Sequence, residues 1–316
     1  MFAGTPIQFA AENVRLIRQH WSGVRDGDVE SIHEARIATR RARAALKIVD
    51  GKDTERLELC RVLGRMLGAV RDVDITREIF HSLSTRLPSA SCAIGMVSRR
   101  VEDDRQRARR KLVKQLDDLE LKPLVALRGR SAITPLSFFW RDWRRSVIAE
   151  THTRQQELQD AVDRAPVVYM PNRLHRVRIA AKKLRYTLEV ADAAGIRVDA
   201  AVLRDLRKTQ DLLGRVHDID VARREVQHLD GSAKPIASEV AILDAVMGAD
   251  CAAFHEKYLG RRERLQAASD YCARLVAAER GRWSMTLARR TLPAAGLVAL
   301  PVAMWRLTAG REGSHA

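Results

Sequence analysis

The sequence predicts an all-α protein built from two similar sets of four helices. Leu, Ile, Val and Ala recur at spacings of three and four across nearly all of residues 6–290, with few β-branched alternations. Two segments each occur twice: SIHEARIATRRARAALKIVD at 31–50 returns as RLHRVRIAAKKLRYTLEVAD at 173–192, and LGAVRDVDITRE at 67–78 returns as LGRVHDIDVARR at 213–224. Breaks fall at Gly51, Pro88, Pro123 with Gly129, Pro166 with Pro171, Gly195 and Gly231, the punctuation expected between helices.

In chain order the expected helices are 6–26, 31–50, 54–82 and 91–119, then 135–163, 172–193, 199–229 and 235–279. Ser31 followed by Glu34 fits a capping box that starts the second helix at about residue 32 and puts His33 in its first turn. Asn172, after Pro171, is the candidate N-cap of the matching helix and places His175 likewise. The repeat offset grows from 142 to 146 residues between the two blocks, which adds a helical turn or a longer loop around Ala194–Ala201. Gly68 and Gly214 sit inside helical patterns, where Gly costs about 1 kcal/mol relative to Ala, so a close helix crossing is expected at both. A single domain over 1–316 results, with halves at 5–130 and 131–285 and a tail at 286–316 outside the repeat. The apolar run Leu292–Trp305 is too short and too broken by prolines to span a bilayer, which takes about 20 residues.

Charge narrows the function. A net charge of +16 and a pI near 10.4 exceed what solubility requires. On a helix, His33, Arg36, Arg40, Arg43 and Lys47 share one face, and His175, Arg178, Lys182 and Arg185 repeat the stripe until Glu189 replaces the last cation. Helix starts and Arg forks both suit phosphate oxygens, and acidic partners are few within the two blocks, so the stripes predict a large polyanion as ligand. Only 5% of residues are aromatic, which disfavours single-stranded nucleic acid, whose bases stack on rings.

No catalytic set assembles. Cys60, Cys92, Cys251 and Cys272 lack zinc spacing and read as buried, reduced thiols. Asp72 with Asp74 and Asp218 with Asp220 read as partners of nearby arginines rather than metal ligands, because residues two apart do not share a helix face. His217-Asp218 is an isolated HD pair of the kind metal-dependent phosphohydrolases carry, without the spaced histidines such a centre needs. No cofactor or metal is expected. A cytoplasmic location is the expectation, since the N-terminus shows no basic n-region followed by an apolar stretch.

The pattern H-x-x-R-[IV]-A-x-[RK]-[RK]-x-R followed by L-G-x-x-x-D-x-D, present twice, resembles the CHAD family, the conserved histidine α-helical domain, from about residue 5 to 285. That resemblance implies two pseudo-symmetric four-helix bundles with a basic central channel that binds inorganic polyphosphate. It assigns ligand contacts to His33, Arg36, Arg40, Arg41, Arg43 and Lys47, and to His175, Arg178, Lys182, Lys183 and Arg185. Arg65, Arg204, Arg207 and Lys208 on the following helices are added to the set. Relatives fused to a triphosphatase module carry ExExK, which this chain lacks, so a non-enzymatic binder, recruited to polyphosphate granules and their proteins, is the expectation. A nonspecific nucleic-acid binder and a phosphohydrolase are the rivals.

Overall fold

The computed structural model describes residues 4–51, 54–126, 140–165, 167–229 and 234–283, and among these every regular element is helical. The first half contains α1 (Pro6–Gln19), α2 (Trp21–Asp26), α3 (Val29–Asp50), α4 (Glu55–Arg86), α5 (Ser91–Asp117) and the single turn α6 (Lys122–Val125). The second contains α7 (Trp140–Asp163), α8 (Pro171–Ala193), α9 (Ala200–Gln227), α10 (Lys234–Leu259) and α11 (262–283). Gly129, Gly231 and the apolar tail lie outside the described residues.

The two expected long helices at the chain's ends are each broken. Helix 6–26 divides at His20, and 235–279 divides at Gly260 and Arg261. Arg261 is held there by Asp205 at 2.8 Å, so the second break is fastened to α9. The cap of α3 also differs from expectation. Asp28, not Ser31, accepts from the Ser31 backbone N–H at 2.8 Å, and the helix begins at Val29. Ser31 instead packs on Gly23: a Cβ at Gly23 would lie 2.2 Å from Ser31 Oγ. Gly23→Ala is therefore expected to destabilise the fold by about 1–3 kcal/mol, measurable by denaturant melts, because α2 and the start of α3 must separate. At α8 the N-cap is Met170 with no side-chain cap bond, and Asn172 lies inside the helix. His33 and His175 are thus placed alike, as expected, but each is the fifth helical residue rather than a first-turn one.

The extra residues of the second half form a longer loop, Ala194–Asp199. Gly195 turns it at φ 78°, and the Ile196 N–H donates to the Ala191 carbonyl at 2.9 Å. A core shared by both halves joins α3, through Ala42, Ala45 and Leu46, to α8, through Val177, Ala181, Leu184 and Leu188. The small residues let the two repeated helices approach, and burying the Leu side chains contributes about 2 kcal/mol each. A second core unites α4, α5, α9 and α10 around Phe80, Val97, Val226 and Met247, and a third lies under α2 and α5. Cys60, Cys251 and Cys272 are buried free thiols, whereas Cys92 is exposed, contrary to the sequence reading. Burial pushes Cys60 and Cys272 up to about 12.

Candidate polyanion site

The packing of α3 against α8 brings the two basic stripes to one seam, with α4 and α9 beside it. Arg36 and Arg178 are equivalent positions, and so are Asp72 of α4 and Asp218 of α9. Arg36 Nη2 donates to Asp72 at 2.9 Å. The Arg178 counterpart feels Asp218, but no ion pair closes there. Both arginines keep a buried Nε without a hydrogen-bond partner. Such a group costs about 1–3 kcal/mol when left unsatisfied, and a phosphate oxygen would satisfy it.

Around this pair, Arg40, Arg43, Arg178 and Lys182 have no carboxylate within ion-pairing distance among the described residues. Burial, then Arg40, Arg178, Arg36 and Arg43, pull the Lys182 ammonium down from 10.5 to about 7. Burial and Arg40 likewise lower Arg36 to about 10, and burial lowers Arg43 and Arg178. Two unit charges about 6 Å apart at an effective dielectric near 20 repel by about 3 kcal/mol, so a cluster of five cations facing two carboxylates is an unfavourable arrangement until an anion enters.

The remaining sequence candidates divide into two groups. Arg41, Lys47, Arg65, Lys183 and Arg185 are neutralised by carboxylates, most of them from outside the basic blocks. Arg41 meets Glu189 at 2.9 Å, Lys47 meets Glu150 at 2.5 Å, Lys183 meets Glu157 at 3.2 Å and Arg65 meets Glu58 at 3.3 Å. Arg185 is buried, donates to Glu189 at 2.6 Å and to Gln210 at 3.0 Å, and lies over the Tyr186 ring. Glu189, which interrupts the second stripe in sequence, thereby clamps one arginine from each repeat. Arg204, Arg207 and Lys208 are exposed on α9. Lys47→Met is accordingly expected to change polyanion affinity less than about twofold in a direct titration, since Glu150 already neutralises that charge.

The histidines are not equivalent in their surroundings. The His175 ring lies 4.6 Å, centroid to centroid, from His217 of α9, tilted at 46° to it, whereas the α4 position matching His217 is Arg71. Burial, Arg178 and His175 hold His217 down to about 4, and burial, Arg178 and Lys182 hold His175 below its ordinary value. Both imidazoles are therefore neutral at pH 7, and His175 Nδ1 is buried without a partner. Asp72 and Asp74 serve different arginines, Arg36 and Arg105 at 2.7 Å, whereas in the second D-x-D only Asp220 closes an ion pair, with Arg224 at 3.1 Å. A Cβ at Gly68 would lie 3.8 Å from the Arg36 guanidinium and one at Gly214 would meet nothing within 4 Å, so no helix crossing requires the second glycine. Gly214→Ala should raise stability by about 0.5–1 kcal/mol in a thermal melt.

Comparison with known proteins decides the family. The CHAD domain model matches residues 8–227. The chain belongs to the CHAD family. Among solved structures, the CHAD domain from the plant Ricinus communis superposes with a TM-score of 0.56 at 22% identity, covering 83% of this chain and 93% of that one. PptA from Streptomyces chartreusis superposes with a TM-score of 0.61 at 18% identity, covering 83% of this chain and 97% of that one. At these identities the likeness is one of fold. No curated protein matches the chain. Among the described residues, no helix is long and apolar enough to cross a membrane.

Proposed function

We propose that this CHAD protein is a non-catalytic binder of inorganic polyphosphate that holds the chain along the α3–α8 seam. The observation that carries this reading is the convergence of Arg36, Arg40, Arg43, Arg178 and Lys182, drawn from both repeats, with too few carboxylates to balance them. The family supplies the identity of the polyanion, and the residues supply its chemistry. Arg forks and a compact ammonium bind phosphates in many registers, and Tyr186, the ring beside Arg36 and Arg43, is buried and offers no face to a base, which suits a ligand that has none. Recruitment to polyphosphate granules and contact with granule proteins follow as consequences for the cell.

Five contacts set the expected salt dependence. Releasing counterions from a linear polyelectrolyte at five cations gives a slope of about −4 in log affinity against log salt, and Arg40→Ala should reduce the slope by about 1. Titration of long-chain polyphosphate across a salt series measures this directly. A slope near −1, unchanged by Arg40→Ala, would contradict binding at the seam.

A further inference from the structure

Beside the seam, a cleft of about 590 Å³ opens between α4, α9 and α10. Its size is that of a small-molecule site. One wall is apolar, made by Ile75, Ile79 and Leu83 of α4 and by Met247 and Phe254 of α10. The rim holds four arginines and four carboxylates, so the cleft offers no net positive field. Two of these pairs are closed, Arg71 with Glu78 at 3.1 Å and Arg86 with Asp250 at 2.9 Å. Arg178 and Arg215 remain without ion pairs, as do Asp211 and Asp218, among the described residues. Gln210 accepts from Arg185 through its carbonyl, which leaves its amide N–H groups as donors. Gly214 keeps the α9 side open.

This lining is wrong for a bare phosphate chain, which gains nothing from an apolar wall and is repelled by each carboxylate. It suits a ligand with a flat apolar body, hydroxyl or amino donors and an anionic tail. We propose that the cleft binds a nucleoside polyphosphate, with the base between Ile79 and Phe254, the ribose hydroxyls donating to Asp211, and the phosphates at Arg215 and Arg178. Arg178 is shared with the seam, and to that extent the assignment rests on the polyphosphate reading. Stacking one base contributes about 5- to 150-fold in affinity, so the nucleoside should matter measurably.

Calorimetric titration of the full-length protein with ATP, tripolyphosphate and long-chain polyphosphate, in magnesium-free buffer at near-physiological salt, tests this. The expected result is ATP binding at least tenfold tighter than tripolyphosphate. Gly214→Leu, which fills the cleft from a position with free space, should abolish that advantage while leaving long-chain polyphosphate affinity within about twofold. Phe254→Ala should reduce the same advantage and serves as an independent variant. ATP binding no tighter than tripolyphosphate by wild-type protein that still binds long chains would overturn the cleft assignment and leave the seam reading standing. Tighter ATP binding without long-chain binding would support the cleft and overturn the seam, and binding of neither would overturn both.

Discussion

Arg36→Glu/Arg178→Glu is expected to weaken binding of long-chain polyphosphate at least 100-fold at near-physiological salt. The two arginines are equivalent positions in the repeats, and each carries a buried Nε with no hydrogen-bond partner. Reversing both leaves Arg40, Arg43 and Lys182 against two new carboxylates as well as Asp72 and Asp218, so the field at the seam no longer favours an anion. Each charge-assisted contact to phosphate contributes about 1.5–3 kcal/mol, and losing two accounts for the expected factor before repulsion is added. The new carboxylates beside Asp72 and Asp218 also cost stability, so circular dichroism must show a folded helical protein. Arg36→Gln/Arg178→Gln, which removes charge without reversing it, should fold at least as well and lose about 30-fold, because neutral hydrogen bonds to phosphate replace the charge-assisted ones. A folded charge-reversal protein that binds within tenfold of wild type would remove the seam from the mechanism.

Affinity should also rise as pH falls, with proton uptake on binding. Lys182 is held at about 7, and His175 and His217 below their ordinary values, by burial and by the surrounding arginines. In each case the folded value lies below the unfolded one, so protonation costs stability in the free protein. For Lys182 the penalty is absent above 10.5, grows as pH falls toward about 7 and is complete below it. For His217 it develops between 6.5 and about 4. A tenfold loss of proton affinity on folding corresponds to about 1.4 kcal/mol, so the free protein should melt at lower temperature at pH 5.5 than at pH 8.5. A bound polyanion favours the charged forms and cancels the penalty. Between pH 8.5 and 6 the affinity should increase about tenfold, with about half to one proton taken up at pH 7.5, read from calorimetry in buffers of different ionisation enthalpy. Lys182→Met should remove that uptake, raise the melting temperature of the free protein and weaken binding. An affinity independent of pH, with no proton uptake, would show that Lys182 does not meet the ligand.

How much of this could be seen in the sequence depends on whether a feature lies within one helix or between helices. Helical periodicity and the repeated blocks were sufficient for the all-α fold, for the equivalent placement of His33 and His175, and for the Arg36, Arg40 and Arg43 face. A helical wheel reports which way a side chain points, but not what the neighbouring helix presents. Glu150 and Glu157 lie on α7, outside both basic blocks, and they neutralise Lys47 and Lys183 across space. The scarcity of acids near a stripe in sequence therefore overstated the number of free cations. Ser31 satisfied a capping pattern that Asp28, three residues earlier, fulfils in the fold, because Ser31 is needed small against Gly23. His217 carries no repeat signal, since its counterpart is Arg71. Its ring contact with His175 arises only when α8 and α9 pack. Gly214 shared a repeat with Gly68 yet borders a cleft instead of a crossing, a difference in neighbours that no single-helix argument contains.

The most direct test of polyphosphate as the ligand is competition between long-chain polyphosphate, duplex DNA and single-stranded RNA for wild-type protein, at matched phosphate concentration and near-physiological salt. A seam built from five cations, whose neighbouring ring Tyr186 is buried, predicts that polyphosphate displaces both nucleic acids, and that Arg36→Glu/Arg178→Glu loses this preference while remaining folded. Equal or tighter binding of DNA or RNA by the wild type would contradict the account and make the protein a general polyanion binder.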